Sequence, residues 1–152
     1  ALKIAENALT NNKNDVAAFV CSNDGTAGGA IQALEKQGLI GKVIVTGMDA
    51  QIDALQRIAE GKQSMTIYKP IIPLASGAVE AAIKLAKGET LSGTQMFKNE
   101  ANNTEVPAIL LEVQVVDQNN LMDTVIKDGY AKYDEIYANV PADRRPPKPR
   151  RN

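Results

Sequence analysis

Residues 15–46 read DVAAFVCSNDGTAGGAIQALEKQGLIGKVIVT, and the order of apolar runs in this stretch decides the fold. Residues 15–21 (DVAAFVC) form an apolar run of strand length, closed by the turn formers Ser22, Asn23, Asp24 and Gly25. Ala27, Ala30, Ile31 and Leu34 then recur at i, i+3, i+4 and i+7, the spacing of one helix face, until Gly38 stops them. Residues 42–46 (KVIVT) are a second β-branched run. Strand, helix and strand follow one another within about thirty residues, the length of a βαβ unit.

The unit repeats downstream. Ile52, Leu55 and Ala59 mark a helix ended by Gly61, and residues 64–69 (SMTIYK) alternate apolar with polar before Pro70. Two such units predict parallel strands joined by right-handed crossovers, an α/β architecture. Residues 74–87 predict a further helix with Leu74, Ala78, Ala81, Ala82 and Leu85 on one stripe and Gly88 as its stop. Residues 89–104 are polar and Asn-rich and read as a surface excursion. Residues 106–116 (VPAILLEVQVV) form the longest apolar run, too long for one ordinary strand. A bent strand, or two in series with Glu112 and Gln114 near the joint, accounts for it. Residues 119–127 predict a short helix before Gly129. Upstream, Leu2, Ala5, Ala8 and Leu9 repeat at helical spacing with no capping residue before them, as if the chain opened inside an element.

Composition narrows the function. The chain has 152 residues and a formal charge of -1. Residues 143–152 hold five Lys or Arg and one Asp, a net +4, which leaves -5 for the rest. A mildly acidic body argues against wrapping nucleic acid or an anionic membrane. No His is present, which removes the usual proton shuttle at neutral pH and the commonest zinc and copper ligand. No nucleophile has a matching base either, so the chain reads as a non-enzyme without cofactor or metal. The single cysteine, Cys21, ends an apolar run and reads as an inert thiol. No apolar run approaches the ~20 residues that span a membrane, and no secretory signal opens the chain. The protein is then cytosolic or has had its targeting segment removed. After Val140 the sequence PADRRPPKPRRN holds four of the seven prolines and reads as a flexible basic tail.

In an open α/β sheet, ligands sit beyond the carboxyl ends of the strands. The first predicted strand ends in Ser22, Asn23 and Asp24, the second in Gly47, Met48 and Asp49, and the third in Tyr68 and Lys69. Asn23, Asp49 and Lys69 supply an amide, a carboxylate and an ammonium, a donor and acceptor mixture suited to a polyhydroxylated ligand. Helix capping accounts for Asn23 and Asp24 at one helix and Asp49 at the next as well, and a solvated strand end for Lys69. The glycines of residues 24–30 (DGTAGGA) match neither the dinucleotide fingerprint nor the Walker pattern and suit close helix packing. Asp15, Asp24 and Asp49 lack the spacing of a phosphoacceptor or magnesium cluster.

With these motifs in order, residues 22–34 (SNDGTAGGAIQAL), 41–50 (GKVIVTGMDA), 63–70 (QSMTIYKP) and 127–130 (KDGY), the chain resembles the type I periplasmic-binding-protein superfamily. More narrowly it is similar to the D-xylose-binding proteins of bacterial ABC transporters, over residues 1–137. The resemblance implies that the family's sugar-contacting Asn, Asp and Lys fall on Asn23, Asp49 and Lys69. Lys69 points to xylose, because relatives that bind ribose or galactose usually have an amide there. It implies a hinged clamshell of two three-layer parallel-sheet lobes. Residues 1–69 and 111–138 would belong to the C-terminal lobe, 70–110 to the N-terminal lobe, and 139–152 to the tail. Only the second half of such a fold is present, and the family's sugar-stacking Trp is missing. The expected partners are D-xylose or a similar monosaccharide, a complementary N-terminal half chain or a second copy, and a membrane permease or sensor kinase, with no nucleic acid. The expected location is extracytoplasmic, periplasmic or lipid-anchored at the surface. The helix of residues 74–87 would expose an apolar face. The alternative is the effector-binding half of a lactose-repressor-type regulator, which shares the fold.

Overall fold

The structure, a computed structural model, describes residues 1–149. It divides into two compact units, one of Ala1–Tyr68 with the chain from Gln114 onward, the other of Lys69–Val113. In the first unit, helix α1 (Leu2–Asn11) precedes strand β1 (Ala18–Val20), helix α2 (Asp24–Lys36), strand β2 (Ile44–Thr46), helix α3 (Ile52–Ala59) and strand β3 (Met65–Tyr68). In the second unit, helix α4 (Ile71–Ala86) precedes strands β4 (Gln95–Asn99) and β5 (Thr104–Ala108). The chain then returns as strand β6 (Gln114–Asp117), a π-helical turn over Met122–Ile126, helix α5 (Tyr133–Ile136) and a 3-10 turn over Ala142–Arg144.

The first unit's sheet has the order β1-β2-β3-β6. β1, β2 and β3 are parallel, as the repeated βα units require, and β6 pairs antiparallel on β3. The architecture is therefore α/β with a parallel sheet carrying one antiparallel edge.

Strand register settles which face is covered. Alternate side chains leave opposite faces of a strand. Phe19 pairs with Val45, Thr46 with Met65, and Thr66 with Val116, which puts Phe19, Val45, Thr66, Tyr68 and Val116 on one face. Against that face lie both cores of the unit. One joins Val45 to Leu9 of α1 and to Ala27, Ile31 and Leu34 of α2. The other joins Tyr68 and Val116 to Leu55, Ile58, Leu121, Val125 and Ile136. Each fully buried Leu or Ile here contributes about 1.5–3 kcal/mol relative to exposure. The contact of α1 with α2 depends on Gly29, where a Cβ would lie 2.7 Å from Ala1 Cβ, so the close-packing reading of the glycine run holds at this position.

The opposite face carries Val20, Ile44, Thr46, Met65, Ile67 and Val115. Val20 is 86% exposed, Ile44 56% and Val115 52%. The helices of the first unit thus supply one of the two covering layers expected around its sheet.

In the second unit, residues expected as a polar excursion form a hairpin. β4 and β5 pair antiparallel from Gln95 opposite Ala108 to Asn99 opposite Thr104. The side chains that suggested a loop build its turn: Asn99 Oδ1 accepts from the Ala101 N–H at 3.1 Å, and Asn102 Oδ1 accepts from the Thr104 N–H and hydroxyl at 3.2 and 2.7 Å. The long apolar run resolves into β5 and β6 with residues 109–113 between them, the unit boundary falling at Val113. α4 has no buried residue, and Ile72, Leu74, Val79 and Leu85 are all exposed, so the apolar face expected on this helix is present.

The residues expected as a flexible tail, up to Pro149, make several contacts. Val140 is buried, Arg145 Nε donates to the Val140 carbonyl at 2.7 Å, and Tyr133 Oη donates to the Pro146 carbonyl at 2.5 Å. Lys148 pairs with Asp134 at 2.6 Å and lies 5.7 Å from the centre of the Tyr133 ring. The tail lacks helix and strand periodicity, yet its carbonyls and cations find partners on α5. Arg150, Arg151 and Asn152, the end of the basic stretch, lie outside the described residues.

Candidate functional site

Asn23 stands at the end of β1 and caps α2. Its backbone is extended, its Oδ1 accepts from the Thr26 N–H at 2.8 Å, and its own N–H donates to Thr26 Oγ1 at 3.3 Å, a reciprocal capping box. The capping role weighed for Asn23 is therefore present. It engages Oδ1 and leaves the Nδ2 amide outside the cap.

Asp49 stands differently. The first residue of the next helix boundary is Gln51, which makes no side-chain cap, so Asp49 is not the cap of α3. Asp49 and Ala50 have φ of 99° and 50°, a left-handed conformation that costs a non-glycine residue about 1–3 kcal/mol and persists only where surroundings impose it. The Asp49 N–H donates to the Ile67 carbonyl at 2.9 Å, and the residue is exposed.

The two loops are bonded together. The N–H of Asp24, next to Asn23, donates to the carbonyl of Met48, next to Asp49, at 2.8 Å. Asn23 and Asp49 thus flank one hydrogen bond at the carboxyl ends of β1 and β2, where an open α/β sheet presents its ligand loops. Lys69 follows Tyr68, the last residue of β3; it is exposed and opens the second unit.

Two further residues at this end were not among the ligand candidates read from the sequence. Asp24 is fully buried beneath the loops. Its Oδ1 accepts from Gln63 Nε2 at 2.9 Å, and its Oδ2 accepts from the Gln51 N–H at 3.0 Å and from Thr66 Oγ1 at 2.9 Å. Tyr130 Oη lies 3.5 Å from the Asp49 carbonyl oxygen, and its ring packs at a tilt of 46° against Tyr68 with centroids 4.9 Å apart. Burial pushes the Tyr130 phenol above its ordinary pKa, and the charges of Asp24 and Asp49 push it the same way. Tyr130 sits in the KDGY stretch, which was the available signal. Asp24 offered none, since a turn aspartate and a buried one look alike in sequence.

Cys21 is half-buried; burial raises its thiol pKa against an opposing hydrogen bond from Thr26, which keeps it a thiol. Among the described residues no group of three or more His, Cys, Asp or Glu is placed to hold a metal ion, and no helix is long and apolar enough to cross a membrane. An exposed carboxylate, an amide and phenols on one loop cluster offer both hydrogen-bond acceptors and donors.

A parallel sheet with polar residues at its carboxyl ends is the general form of α/β binding domains, and residues 1–90 match the family model of one of them: the chain belongs to the periplasmic binding protein domain family. Among its relatives are the D-xylose-binding periplasmic proteins of Haemophilus influenzae, 53% identical over 137 residues, and of Escherichia coli, 51% identical over 136. Each alignment covers 90% of this chain and 41% of the relative, so the chain spans well under half their length. Among solved structures, a carbohydrate transporter solute binding protein from Chloroflexus aurantiacus in complex with D-glucose superimposes with a TM-score of 0.75 at 29% identity, over 88% of this chain and 39% of that one. A solute binding protein from Clostridium phytofermentans with bound β-D-glucose gives 0.75 at 28% identity, over 89% and 43%.

Proposed function

We propose that this chain forms one wall of a monosaccharide-binding cleft, with Asn23, Asp49 and Lys69 as contacts for D-xylose. The observation that carries the reading is the place of Asp49, an exposed residue on a left-handed loop tied by one hydrogen bond to the Asn23 loop. Half-identity to D-xylose-binding relatives supports xylose over other sugars. Asp49 accepts from two sugar hydroxyls, while Asn23 Nδ2 and Lys69 donate to others; charged groups strengthen such bonds to about 1.5–3 kcal/mol each. The binding is non-enzymatic.

In this reading residues 1–69 and 111–138 are C-terminal lobe and 70–110 are the part that visits the N-terminal lobe. The opposite wall comes from a complementary N-terminal half, with self-association when that half is absent. The protein works outside the cytoplasm, handing sugar to an ABC-type permease or presenting it to a membrane sensor.

Calorimetric titration with xylose, on this chain alone and with a complementary N-terminal half restored, tests the reading. The restored protein binds, the chain alone binds weakly, and Asp49→Ala and Lys69→Ala each weaken binding at least about tenfold. No heat with xylose in the restored protein, or wild-type binding in both variants, overturns it.

A further inference from the structure

We infer that Asp24 is the positioning residue of this wall, a buried carboxylate that sets the backbone of the Asp49 loop without touching ligand itself. The inference rests on the sugar-binding reading for its consequence, though not for its geometry.

Three donors from two segments converge on this one side chain: Gln51 from the loop after β2, and Gln63 and Thr66 from the stretch that leads into β3. Thr66 Oγ1 in turn accepts from the Ala50 N–H at 3.2 Å. The two amides that directly follow Asp49 are therefore both held by the same buried pair, Ala50 through Thr66 and Gln51 directly by Asp24. These are the amides that anchor the left-handed turn at Asp49 and Ala50. The backbone of Asp24 closes the arrangement from the other side. Its N–H holds the Met48 carbonyl, and its carbonyl accepts from Arg57 Nη2 at 3.0 Å, while Arg57 Nε donates to Gln63 Oε1 at 3.0 Å.

A buried carboxylate is unfavourable unless its acceptors are filled, and here they are. An apolar side chain could fill the same space but could not accept from three donors on two segments. The chemistry required is that of a multiple acceptor, which is why the position suits Asp and neither Asn nor Leu. Since Asn23 is the next residue, the same side chain also fixes where the first loop meets the second.

Amide hydrogen exchange by NMR on the 152-residue chain tests this together with a xylose titration followed on the same resonances. Asp24→Asn replaces one acceptor by a donor, so either Gln63 Nε2 or the Gln51 N–H faces a donor. Exchange at Ala50 and Gln51 is expected to accelerate at least about tenfold more than at Leu34 and Ile136, and the xylose response to weaken at least about tenfold. Thr66→Val accelerates Ala50 in the same way, and Thr66→Ser, which restores the hydroxyl, returns it close to wild type; this pair decides the matter if Asp24→Asn does not fold. Unchanged exchange at Ala50 and Gln51, or acceleration spread evenly over the core amides, overturns the positioning role. If the exchange pattern appears while xylose perturbs no amide of the wild-type chain even with a complementary N-terminal half restored, Asp24 still positions the loop and the sugar reading fails.

Discussion

The Asp24 carboxylate fills the space that a side chain on Gly47 would need: a Cβ built at Gly47 meets Asp24 Oδ1 far inside van der Waals contact and lies 2.7 Å from Gln63 Nε2. Neither obstacle is the loose end of a surface chain, because both atoms are buried and bonded to each other at 2.9 Å. Gly47→Ala therefore expels the carboxylate from its donors. Overpacking of this kind costs about 1–3 kcal/mol before any lost hydrogen bond is added. Urea unfolding should show a loss of about 3 kcal/mol or more; a loss below about 0.5 kcal/mol, the level of an ordinary surface change, would mean that the network yields easily.

Asn23 has two roles that substitution can separate. Asn23→Ala removes the cap of α2 and should cost about 1 kcal/mol in thermal or chemical unfolding. Asn23→Ser keeps an oxygen for the Thr26 N–H and loses only the Nδ2 donor. Its stability should stay within about 0.5 kcal/mol of wild type, while xylose binding weakens as it does for the alanine variant. Wild-type binding by Asn23→Ser would leave Asn23 as a cap alone.

Alkaline pH should destabilise the first unit through its phenols. Burial raises the pKa of Tyr68, Tyr130 and Tyr137; nearby carboxylate charge adds at Tyr68 and Tyr130, and Tyr133 adds at Tyr137. A phenol raised in the folded state stays neutral there after it has ionised in the unfolded chain. The stability it contributes is complete below the unfolded value of about 10 and is lost as pH rises through the folded value. Denaturation midpoints should fall from about pH 10 upward, and Tyr130→Phe should reduce the slope. A midpoint flat to the end of the tyrosinate titration would contradict the burial of these rings.

The bare sheet face should make the isolated chain associate. Val20 and Ile44 are exposed on adjacent strands, where an apolar patch is an association surface. Sedimentation velocity should show concentration-dependent association that Val20→Lys with Ile44→Lys reduces. Because both side chains already face solvent, the double variant should keep its stability within about 1 kcal/mol. A monomer at all concentrations, unaffected by the pair, would remove self-association from the account.

Much of the first unit was legible residue by residue. β1, α2, β2, α3 and β3 each declared themselves through period and punctuation, with Gly38 and Gly61 ending helices at positive φ as their positions suggested. These signals are local, and each lies within one element. The β4–β5 hairpin was illegible for the opposite reason: both its strands are almost wholly exposed, so no alternation of buried and solvated residues marks them. The contacts made after Val140 left no periodic trace in the sequence, because their partners are main-chain carbonyls and single charges.

The candidate site divides along the same line. Strand ends, the polar residues upon them and their order are properties of neighbouring positions, so the sequence by itself determined that Asn23, Asp49 and Lys69 follow three successive strands. Which role each takes was decided in three dimensions. Asn23 became a cap because Thr26 lies one turn on, and Asp49 did not because Gln51 took the helix boundary. The left-handed turn beneath Asp49 is held by a carboxylate whose partners lie 27, 39 and 42 residues away. The one-sided covering of the sheet likewise follows from register between strands. Periodicity reports what a segment can become; only tertiary structure brings distant donors to one acceptor, since a hydrogen bond depends on separation in space and not along the chain.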